Sequence, residues 1–360
     1  CTVAAMARID LAAHAKYFLR CLELLPAPYA SLDTNRLTVA YFCVSGLDVL
    51  GCLERVDAPR IIAWIYSLQV LPSGEGAAPG RSAGFRGGSF MGGPFSAGGA
   101  PSSSEYDEGH LAMTYTALAV LVILGDDLAR VDRGALLRFV RSLQDARGCF
   151  CAYGGGESDM RFLYCAAAIC TMLRDDSWTG VDVRAATAYA LASQNYDGGL
   201  GLGPGQESHG GSIYCALAAL QLMGTLAQLP RQAQLVQWIV HRQVGGFQGR
   251  PNKDEDTCYS FWLGASLSLL GAPGLSDLAA LSAFASGCES LPHGGIAKCC
   301  ANHPDVLHSY YALCGLSLAG QTQLRPLSCA LGMSVRAAAG AGFAPPEQEH
   351  AQLCETCPSE

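Results

Sequence analysis

The sequence predicts an all-α protein built from six copies of one helical hairpin. Six apolar runs that are typical of buried helices end at Gly51, Gly125, Arg174, Gly224, Gly271 and Gly320. Fifteen residues before the end of each run stands a polar residue, in turn Arg36, His110, Asp159, His209, Asp256 and Asp305. These positions are 74, 49, 50, 47 and 49 residues apart. A repeat of about 50 residues holds two helices and a turn, and its apolar face needs a neighbouring repeat to cover it.

Each repeat starts with an amphipathic helix and ends with an apolar one. Segments such as 136–144 and 234–243 carry apolar residues at i, i+3 and i+4, which predicts outer helices with one exposed face. Glycine pairs at 87–88, 198–199, 245–246 and 294–295 mark the turns between the two helices. The second helices are apolar nearly all round and are expected in an inner layer. Six such hairpins either stack as an open superhelix or close into a ring.

Two segments depart from the repeat. Residues 72–104 are rich in Gly, Ser, Ala and Pro, and they predict a long insertion loop that explains the spacing of 74. Residues 321–360 lack the repeat, and we expect a disordered tail there. Cys354 and Cys357 in this tail have metal-ligand spacing, but no second pair accompanies them.

Composition argues against several classes of protein. The net charge of −8 and the isoelectric point near 5.5 argue against nucleic acid as a partner. The longest strongly apolar run, 111–124, is too short to cross a bilayer, and residues 1–30 have no signal-peptide core. The 17 cysteines are scattered through apolar helices. They indicate small buried side chains in a reducing compartment, so we expect a cytoplasmic protein.

Three residues near the starts of the last two inner helices predict a metal site. Asp256 and Cys258 lie two residues apart, and His308 follows one repeat later. Together they offer one oxygen, one sulfur and one nitrogen, which leaves a fourth position open as in catalytic zinc sites. The alternatives are chance pairing among many cysteines and histidines, or helix capping by Asp256 and the other aspartates. Capping does not explain Cys258 or His308.

Polar and cationic residues surround these three positions. If the ring closes, His209, Arg250, Lys253, Tyr259 and Lys298 face one mouth and form a pocket for a multiply charged anion. The alternative is that the loop cations are simply solvated. The aromatic residues Phe42, Tyr115, Phe162, Phe261 and Trp262 are either ordinary core or the wall of an apolar cavity, as a lipid diphosphate would need.

The motifs GRPNKDEDTCYSFW (249–262), QESHGGSIYCALAAL (206–220) and HPDVLHSYYALCGLSL (303–318) resemble the β subunits of protein prenyltransferases. Within that family, segments 36–51, 109–128 and 159–173 are most similar to the geranylgeranyltransferase type I branch. The resemblance covers residues 17–320. It implies an α6–α6 toroid, which is a closed barrel of six helical hairpins, and a helical α subunit as partner.

By motif position, the resemblance also implies the roles of individual residues. Asp256, Cys258 and His308 would hold one zinc ion, and Tyr259 would join them in catalysis. The donor diphosphate would contact His209, Arg250, Lys253, Tyr259 and Lys298. Lys298 stands where related enzymes carry a magnesium-binding Asp, so no magnesium requirement is expected. The isoprenoid and peptide pocket would comprise Thr38, Phe42, His110, Ala112, Tyr115, Phe162, Trp262 and Leu307, with Thr38 where the farnesyl enzyme has a Trp.

The expected function is zinc-dependent transfer of a geranylgeranyl group from geranylgeranyl diphosphate to the Cys of C-terminal Cys-a-a-Leu motifs, as in Rho- and Rac-type small GTPases. Cys299 and Cys300 depart from the family, which has Trp-Pro there, and this bears on the geometry of Lys298. One alternative is a farnesyl or Rab geranylgeranyl transferase β subunit. Another is a terpene cyclase, because Asp254-Glu255-Asp256-Thr257 is one residue from its acid motif. The last is a non-catalytic toroid that binds lipidated tails.

Overall fold

The computed structural model describes residues 9–71, 83–89, 108–291 and 293–343. These ranges are mainly helical. The α-helices are α1 (Leu11–Glu23), α2 (Arg36–Val49), α3 (Ala58–Ser67), α4 (Leu111–Ile123), α5 (Arg133–Ser142), α6 (Met160–Met172), α7 (Val183–Ala192), α8 (Gly210–Leu222), α9 (Gln232–Val240), α10 (Tyr259–Leu269), α11 (Leu278–Gly287), α12 (Val306–Leu318) and α13 (Val335–Gly340). Short 3-10 helices span Ala27–Asn35, Leu53–Arg55, Leu226–Gln228 and Pro273–Leu275.

Within the described ranges, three small antiparallel strand pairs accompany the helices. They are β1 (Gln69–Val70) with β2 (Gly84–Phe85), β3 (Ile296–Ala297) with β4 (Pro304–Asp305), and β5 (Leu327–Ser328) with β6 (Met333–Ser334). Residues 84–85 belong to the segment that we expected to be a long loop, yet they are buried and paired with β1. The loop prediction is therefore wrong for 84–85; residues 83 and 86–89 form no helix or strand, and the rest of 72–104 lies outside the described residues.

The even-numbered helices α2 to α12 form a closed inner ring. Each packs on the next, and α12 packs on α2, which excludes the open superhelix and confirms the predicted α6–α6 toroid. The odd-numbered helices α1 to α11 surround this ring. Burial separates the two layers, because 12 of the 13 residues of α4 are buried whereas only 4 of the 10 residues of α5 are. No helix within the described ranges has both the length and the apolar character needed to cross a bilayer.

The inner helices end in the same way, which explains the six apolar runs. Five of them are followed by a glycine with positive φ, for example Gly125 at 81°. The exception follows α6, where Arg174 adopts a φ of 53°. In each case the next amide donates back to a carbonyl five residues earlier, as Asp126 does to Leu121 at 2.9 Å. This is the Schellman arrangement, in which a left-handed residue satisfies the last carbonyls of a helix.

Glutamine side chains join neighbouring repeats in the outer layer. Gln144, which follows α5, accepts a hydrogen bond from the Asp182 amide at 2.7 Å and donates to the Asp182 carbonyl at 3.1 Å. Gln243 holds Asp277 at the start of α11 in the same way, and Gln69 accepts from the Asp132 amide and donates to the Arg130 carbonyl before α5. At the corresponding place in the sixth repeat, Glu289 contacts His14 of α1 at 3.3 Å, and this joins the last repeat to the first.

Residues 321–343 are ordered, so the prediction of a disordered tail is wrong for this stretch; residues 344–360, including Cys354 and Cys357, lie outside the described residues. The segment carries β5, β6 and α13, and Ala330, Leu331 and Met333 are fully buried. The carboxylate of Asp48 on α2, 1% exposed, accepts hydrogen bonds from Arg325, Ser334 and Arg336. These contacts fix the tail to the first inner helix.

Tyrosines at equivalent positions of the inner helices meet the same segment. The five are Tyr41, Tyr115, Tyr164, Tyr214 and Tyr310, and α10 has Phe261 at that position. Tyr41 and Tyr310 donate to the Gly332 carbonyl, and Tyr214 donates to the Cys329 carbonyl at 2.9 Å. A carbonyl buried without a partner would cost about 1–3 kcal/mol. The tyrosine hydroxyls thus supply hydrogen-bond donors to backbone carbonyls of the tail, which would otherwise be buried among apolar side chains of the inner helices.

Candidate active site

The predicted polar positions lie together at the amino ends of the inner helices. His110, Asp159, His209 and Asp305 are N-cap residues, Arg36 is the first residue of α2, and Asp256 lies two residues before the cap position of α10. His209 Nδ1 accepts the Gly211 amide at 3.1 Å, and His110 Nδ1 accepts the Ala112 amide at 3.2 Å. Capping therefore extends to the histidines, which the sequence analysis did not expect.

Asp256, Cys258 and His308 converge at this mouth. One ligand atom from each lies within 4.8 Å of the other two, and among the described residues no other such group of three is found. His308 Nε2 is 3.3 Å from Asp256 Oδ1. The turn before α10 is held by the Thr257 amide, which donates to the Lys298 carbonyl at 3.0 Å, and by the Asp256 carboxylate, which accepts the Cys258 amide at 2.9 Å.

The residue behind His308 fixes its orientation. Asp305 Oδ2 lies 2.6 Å from Nδ1 of His308, so Nδ1 donates to it and Nε2 points toward Asp256. Burial opposes protonation of the ring, yet hydrogen bonds to Asp256 and Asp305 outweigh it and raise the pKa of His308 to about 9. A carboxylate behind a ligating imidazole is a regular feature of zinc sites. Sequence analysis had assigned Asp305 no such role.

Charge and burial in this cluster favour a bound cation. Burial raises the pKa of Asp256, but hydrogen bonds from His308 and Cys258 outweigh it and hold that pKa below its usual value. Burial and then the Asp256 charge raise the pKa of the Cys258 thiol well above its usual value. A thiolate here therefore needs a positive partner. An oxygen, a sulfur and a nitrogen donor at these separations fit a zinc ion.

The residues predicted to bind an anion line one cavity of about 870 Å³ beside this cluster. They are His209, Arg250, Lys253, Tyr259 and Lys298. Lys298 Nζ lies 3.9 Å from Asp256 Oδ2, so the turn carrying Cys299 and Cys300 keeps this lysine at the site. The cavity also contains Arg161 and Glu207, which sequence analysis missed. Each stands two residues from a polar position of the repeat, Arg161 from Asp159 and Glu207 from His209, and this spacing could have indicated that they lie at the same mouth.

The hydrogen bonds of His209 determine where the Tyr259 proton is available. Burial, followed by the Arg250 charge, lowers the pKa of His209, so the ring is neutral near pH 7. Because Nδ1 accepts the Gly211 amide, the ring proton is on Nε2, which lies 2.9 Å from the Tyr259 hydroxyl oxygen. Nε2 then donates to Tyr259, and the tyrosine O–H is free to donate to a molecule in the cavity.

The eight residues predicted for the isoprenoid and peptide pocket all lie on inner helices or at their starts. Thr38, Ala112 and Leu307 are half-buried near the mouth, where the Thr38 hydroxyl contacts Met113 at 3.4 Å. The His110 ring lies 6.0 Å from Phe162, and Trp262 lines the cavity and packs on Tyr311 at 4.2 Å. Phe42 is buried against Tyr310 and Tyr311. Tyr115 belongs instead to the tyrosine ring at the floor.

Comparisons with known proteins agree on one family. Residues 9–333 match the prenyltransferase alpha-alpha toroid domain. Geranylgeranyl transferase type-1 subunit beta of Arabidopsis thaliana is 42% identical over 341 residues, covering 91% of this chain and 89% of the relative. The subunit of the same name from Dictyostelium discoideum is 39% identical, covering 90% and 95%. Protein farnesyltransferase subunit beta of Schizosaccharomyces pombe is 32% identical, covering 86% and 78%.

The fold is also that of a solved structure. Candida albicans protein geranylgeranyltransferase-I, complexed with GGPP, superposes with a TM-score of 0.79 over 96% of this chain and 100% of that chain. The sequence identity of the two is 24%.

Proposed function

Because this chain belongs to the prenyltransferase alpha-alpha toroid family, among the geranylgeranyltransferase type I β subunits, we propose that it transfers a geranylgeranyl group from geranylgeranyl diphosphate to the Cys of C-terminal Cys-a-a-Leu sequences. One observation carries the proposal. The Asp256–Cys258–His308 cluster adjoins, through Asp256, a single cavity that is lined by two lysines, two arginines and Tyr259, whose hydroxyl accepts from His209 and can donate its own proton. A farnesyl donor is the alternative within the same family.

We assign zinc to Asp256, Cys258 and His308. Zinc, when bound, lowers the pKa of a coordinated thiol and so supplies the acceptor cysteine as a thiolate at neutral pH. Asp305 holds the ring of His308 so that Nε2 faces the other two ligands. The fourth position of a three-ligand site is open to a substrate atom.

The cationic side chains stabilise the leaving group. As the acceptor sulfur forms its bond to C1 of the isoprenoid, the C1–O bond breaks and negative charge grows on the diphosphate. Arg250, Lys253 and Lys298 line the cavity with positive charge, and the Tyr259 hydroxyl donates a hydrogen bond. Donors that are already in place when charge develops lower the barrier, because no reorganisation is needed at that moment.

Lys298 supports a reaction without magnesium. Its ammonium lies 3.9 Å from Asp256 Oδ2, beside the metal ligands and within the cavity. A fixed positive charge there neutralises a diphosphate oxygen, which a divalent ion would otherwise do. We expect turnover to be unchanged by removal of magnesium.

The donor chain would lie in the apolar interior beneath the cations. Cys215 and Trp262 also line the cavity, and Cys215 stands six residues after His209 along α8. Thr38 is small and half-buried on α2. Its size leaves room for a longer isoprenoid than a Trp would at that position. The pocket for the last peptide residue, formed by Thr38, His110, Ala112, Phe162 and Leu307, remains part of this proposal and suits an apolar Leu.

We further propose that the working enzyme is a cytoplasmic heterodimer with a prenyltransferase α subunit and that small GTPases of the Rho and Rac type are among its substrates. The similarity to type I β subunits supports the heterodimer. Cysteines of the described inner helices, such as Cys43, Cys170 and Cys314, are buried reduced thiols, which fits a reducing compartment.

Co-expression with an α subunit tests the proposal. Transfer to Cys-a-a-Leu and Cys-a-a-Met peptides is measured with C15 and C20 diphosphates, together with the zinc content of the purified dimer. We expect one zinc, a preference for C20 with Leu, and loss of both zinc and turnover in Cys258→Ala. Cys165→Ala, which removes a buried thiol of α6 outside the cluster, should keep both. A preference for C15 with Met would refute the donor assignment.

The same experiment separates the other candidates. Stoichiometric zinc without turnover in the dimer would favour a non-catalytic toroid that binds lipidated tails. Cyclisation of an isoprenoid that is unaffected by Cys258→Ala would favour a terpene cyclase, because that chemistry uses neither Cys258 nor His308.

A further inference from the structure

An acidic side chain lies in the cavity that the proposed function assigns to an anion. Glu207 stands two residues before His209, and Arg250 comes from the next repeat, before α10. Arg250 Nη1 donates to Glu207 Oε2 at 2.6 Å, and both residues line the cavity. The Glu207 carboxylate repels an anion and by itself would weaken anion binding. Its contact with Arg250, which is proposed to bind that anion, suggests that it acts on the arginine instead.

The backbone around both residues is held in place without this ion pair. The Gly210 amide donates to the Gly249 carbonyl at 2.8 Å, which ties the two loops together. The His209 amide donates to the Leu200 carbonyl at 3.1 Å, and Asn195 donates to the Gln206 carbonyl at 2.6 Å. What the ion pair restricts is therefore the two side chains, of which Arg250 is 39% and Glu207 61% exposed.

The contact leaves most of the guanidinium available. An arginine has five N–H donors in a planar fork, and Glu207 engages the Nη1 end. The remaining donors stay free to face a diphosphate oxygen. A side chain that is already oriented loses less conformational freedom when the anion arrives.

We propose that Glu207 is a positioning residue that holds Arg250 over the cavity for the diphosphate of the isoprenoid donor. This inference rests on the proposed function, since it needs Arg250 to contact the donor. It makes the donor site a joint product of repeats four and five, with the carboxylate on one repeat and the cation on the next.

The negative charge of Glu207, taken alone, would affect anion binding in the opposite direction. Removing a carboxylate raises the positive potential of the cavity and should tighten anion binding, whereas losing the orientation of Arg250 should weaken it. Asp254 provides the matched control. It lines the same cavity and is exposed, and within the described ranges its side chain makes no hydrogen bond or ion pair. Asp254→Ala thus removes the same charge from the same cavity without releasing a cation.

The test uses the heterodimer at fixed ionic strength and four variants: Glu207→Ala, Asp254→Ala, Arg250→Ala and the Glu207→Ala/Arg250→Ala pair. Binding of geranylgeranyl diphosphate is measured by fluorescence titration. We expect Glu207→Ala to weaken binding about threefold to fivefold, which is the upper part of the range of an exposed ion pair. Asp254→Ala should leave binding equal or tighter. In the Arg250→Ala background the Glu207 change should have no further effect.

Three other measurements distinguish positioning from a general structural role. The KM for the acceptor peptide and the midpoint of thermal unfolding should not change in Glu207→Ala, and inorganic diphosphate should lose affinity in parallel with the isoprenoid donor. Equal or tighter donor binding by Glu207→Ala, or an undiminished effect in the Arg250→Ala background, would overturn the inference while the proposed function stands. Absence of donor binding by the unmodified dimer would overturn both.

Discussion

Asp305 offers a way to test the metal centre without touching a ligand. Its Oδ1 accepts the His308 amide at 2.9 Å as the cap of α12, and its Oδ2 accepts His308 Nδ1–H at 2.6 Å. In Asp305→Asn, the amide oxygen can take over only one of these bonds, and the NH₂ group faces a donor at the other. Because Asn is as good an N-cap as Asp, the oxygen should stay with the helix, and the ring bond is lost.

The magnitude follows from the contact that is lost. A hydrogen bond to a charged group contributes about 1.5–3 kcal/mol, and loss of a carboxylate behind a ligating histidine lowers metal affinity by roughly 10–100-fold. At 1.36 kcal/mol for each factor of ten, the two ranges agree. We expect Asp305→Asn to weaken zinc binding 10–100-fold, and also to destabilise the metal-free protein by about 1.5–3 kcal/mol because the bond to His308 is present without the metal.

Competition with a chromophoric chelator measures this affinity in the heterodimer. Asp277→Asn is the matched control, because Asp277 caps the outer helix α11 by accepting the Ala280 amide at 2.9 Å and is distant in sequence from the ligands. The control should bind zinc as the unmodified protein does. Undiminished zinc affinity in Asp305→Asn would refute the argument that this carboxylate orients His308.

Three further predictions concern the pocket, the floor and the pH response. Thr38→Trp should shift donor preference from C20 toward C15, measured as the ratio of kcat/KM for the two donors; an unchanged ratio would remove Thr38 from the pocket. Tyr310→Phe removes one of the two donors to the Gly332 carbonyl, which keeps its bond from Tyr41, and should destabilise the protein by about 0.5–1.5 kcal/mol in denaturant unfolding. His209 has a pKa lowered by burial, so its contribution to stability is complete above pH 6.5 and is lost as the pH falls through the lower folded value. His209→Asn keeps the cap and should show a smaller loss of stability in that range; an identical slope would contradict this.

The ring and most of the site could be predicted because they repeat. Polar residues spaced by about one repeat mark the inner helix starts, and ring closure brings equivalent positions together. Asp256 and His308 are 52 residues apart in the sequence, and their nearest side-chain atoms are 3.3 Å apart. Repetition alone cannot show what lies behind a ligand. The contact of Asp305 with His308 and that of Glu207 with Arg250 depend on side-chain directions.

The tail could not be predicted from its own composition. Residues rich in Ala and Gly form no amphipathic pattern, and their order comes from partners far away in the sequence. Asp48 is 288 residues from Arg336, which it holds, and the tyrosines that meet the tail stand inside helices that look like ordinary core. The signal that was available is the recurrence of Tyr at one repeat position, broken only by Phe261.

The joint between Glu289 and His14 sets a limit on how this architecture can change. An open solenoid can gain or lose units during evolution, because each unit contacts only its neighbours. In this protein the sixth repeat contacts the first. Adding or deleting one repeat would therefore leave two repeats without matching contact surfaces and would change the diameter of the central cavity. New specificities in such a protein must then arise from side-chain substitutions in a ring whose number of repeats stays the same.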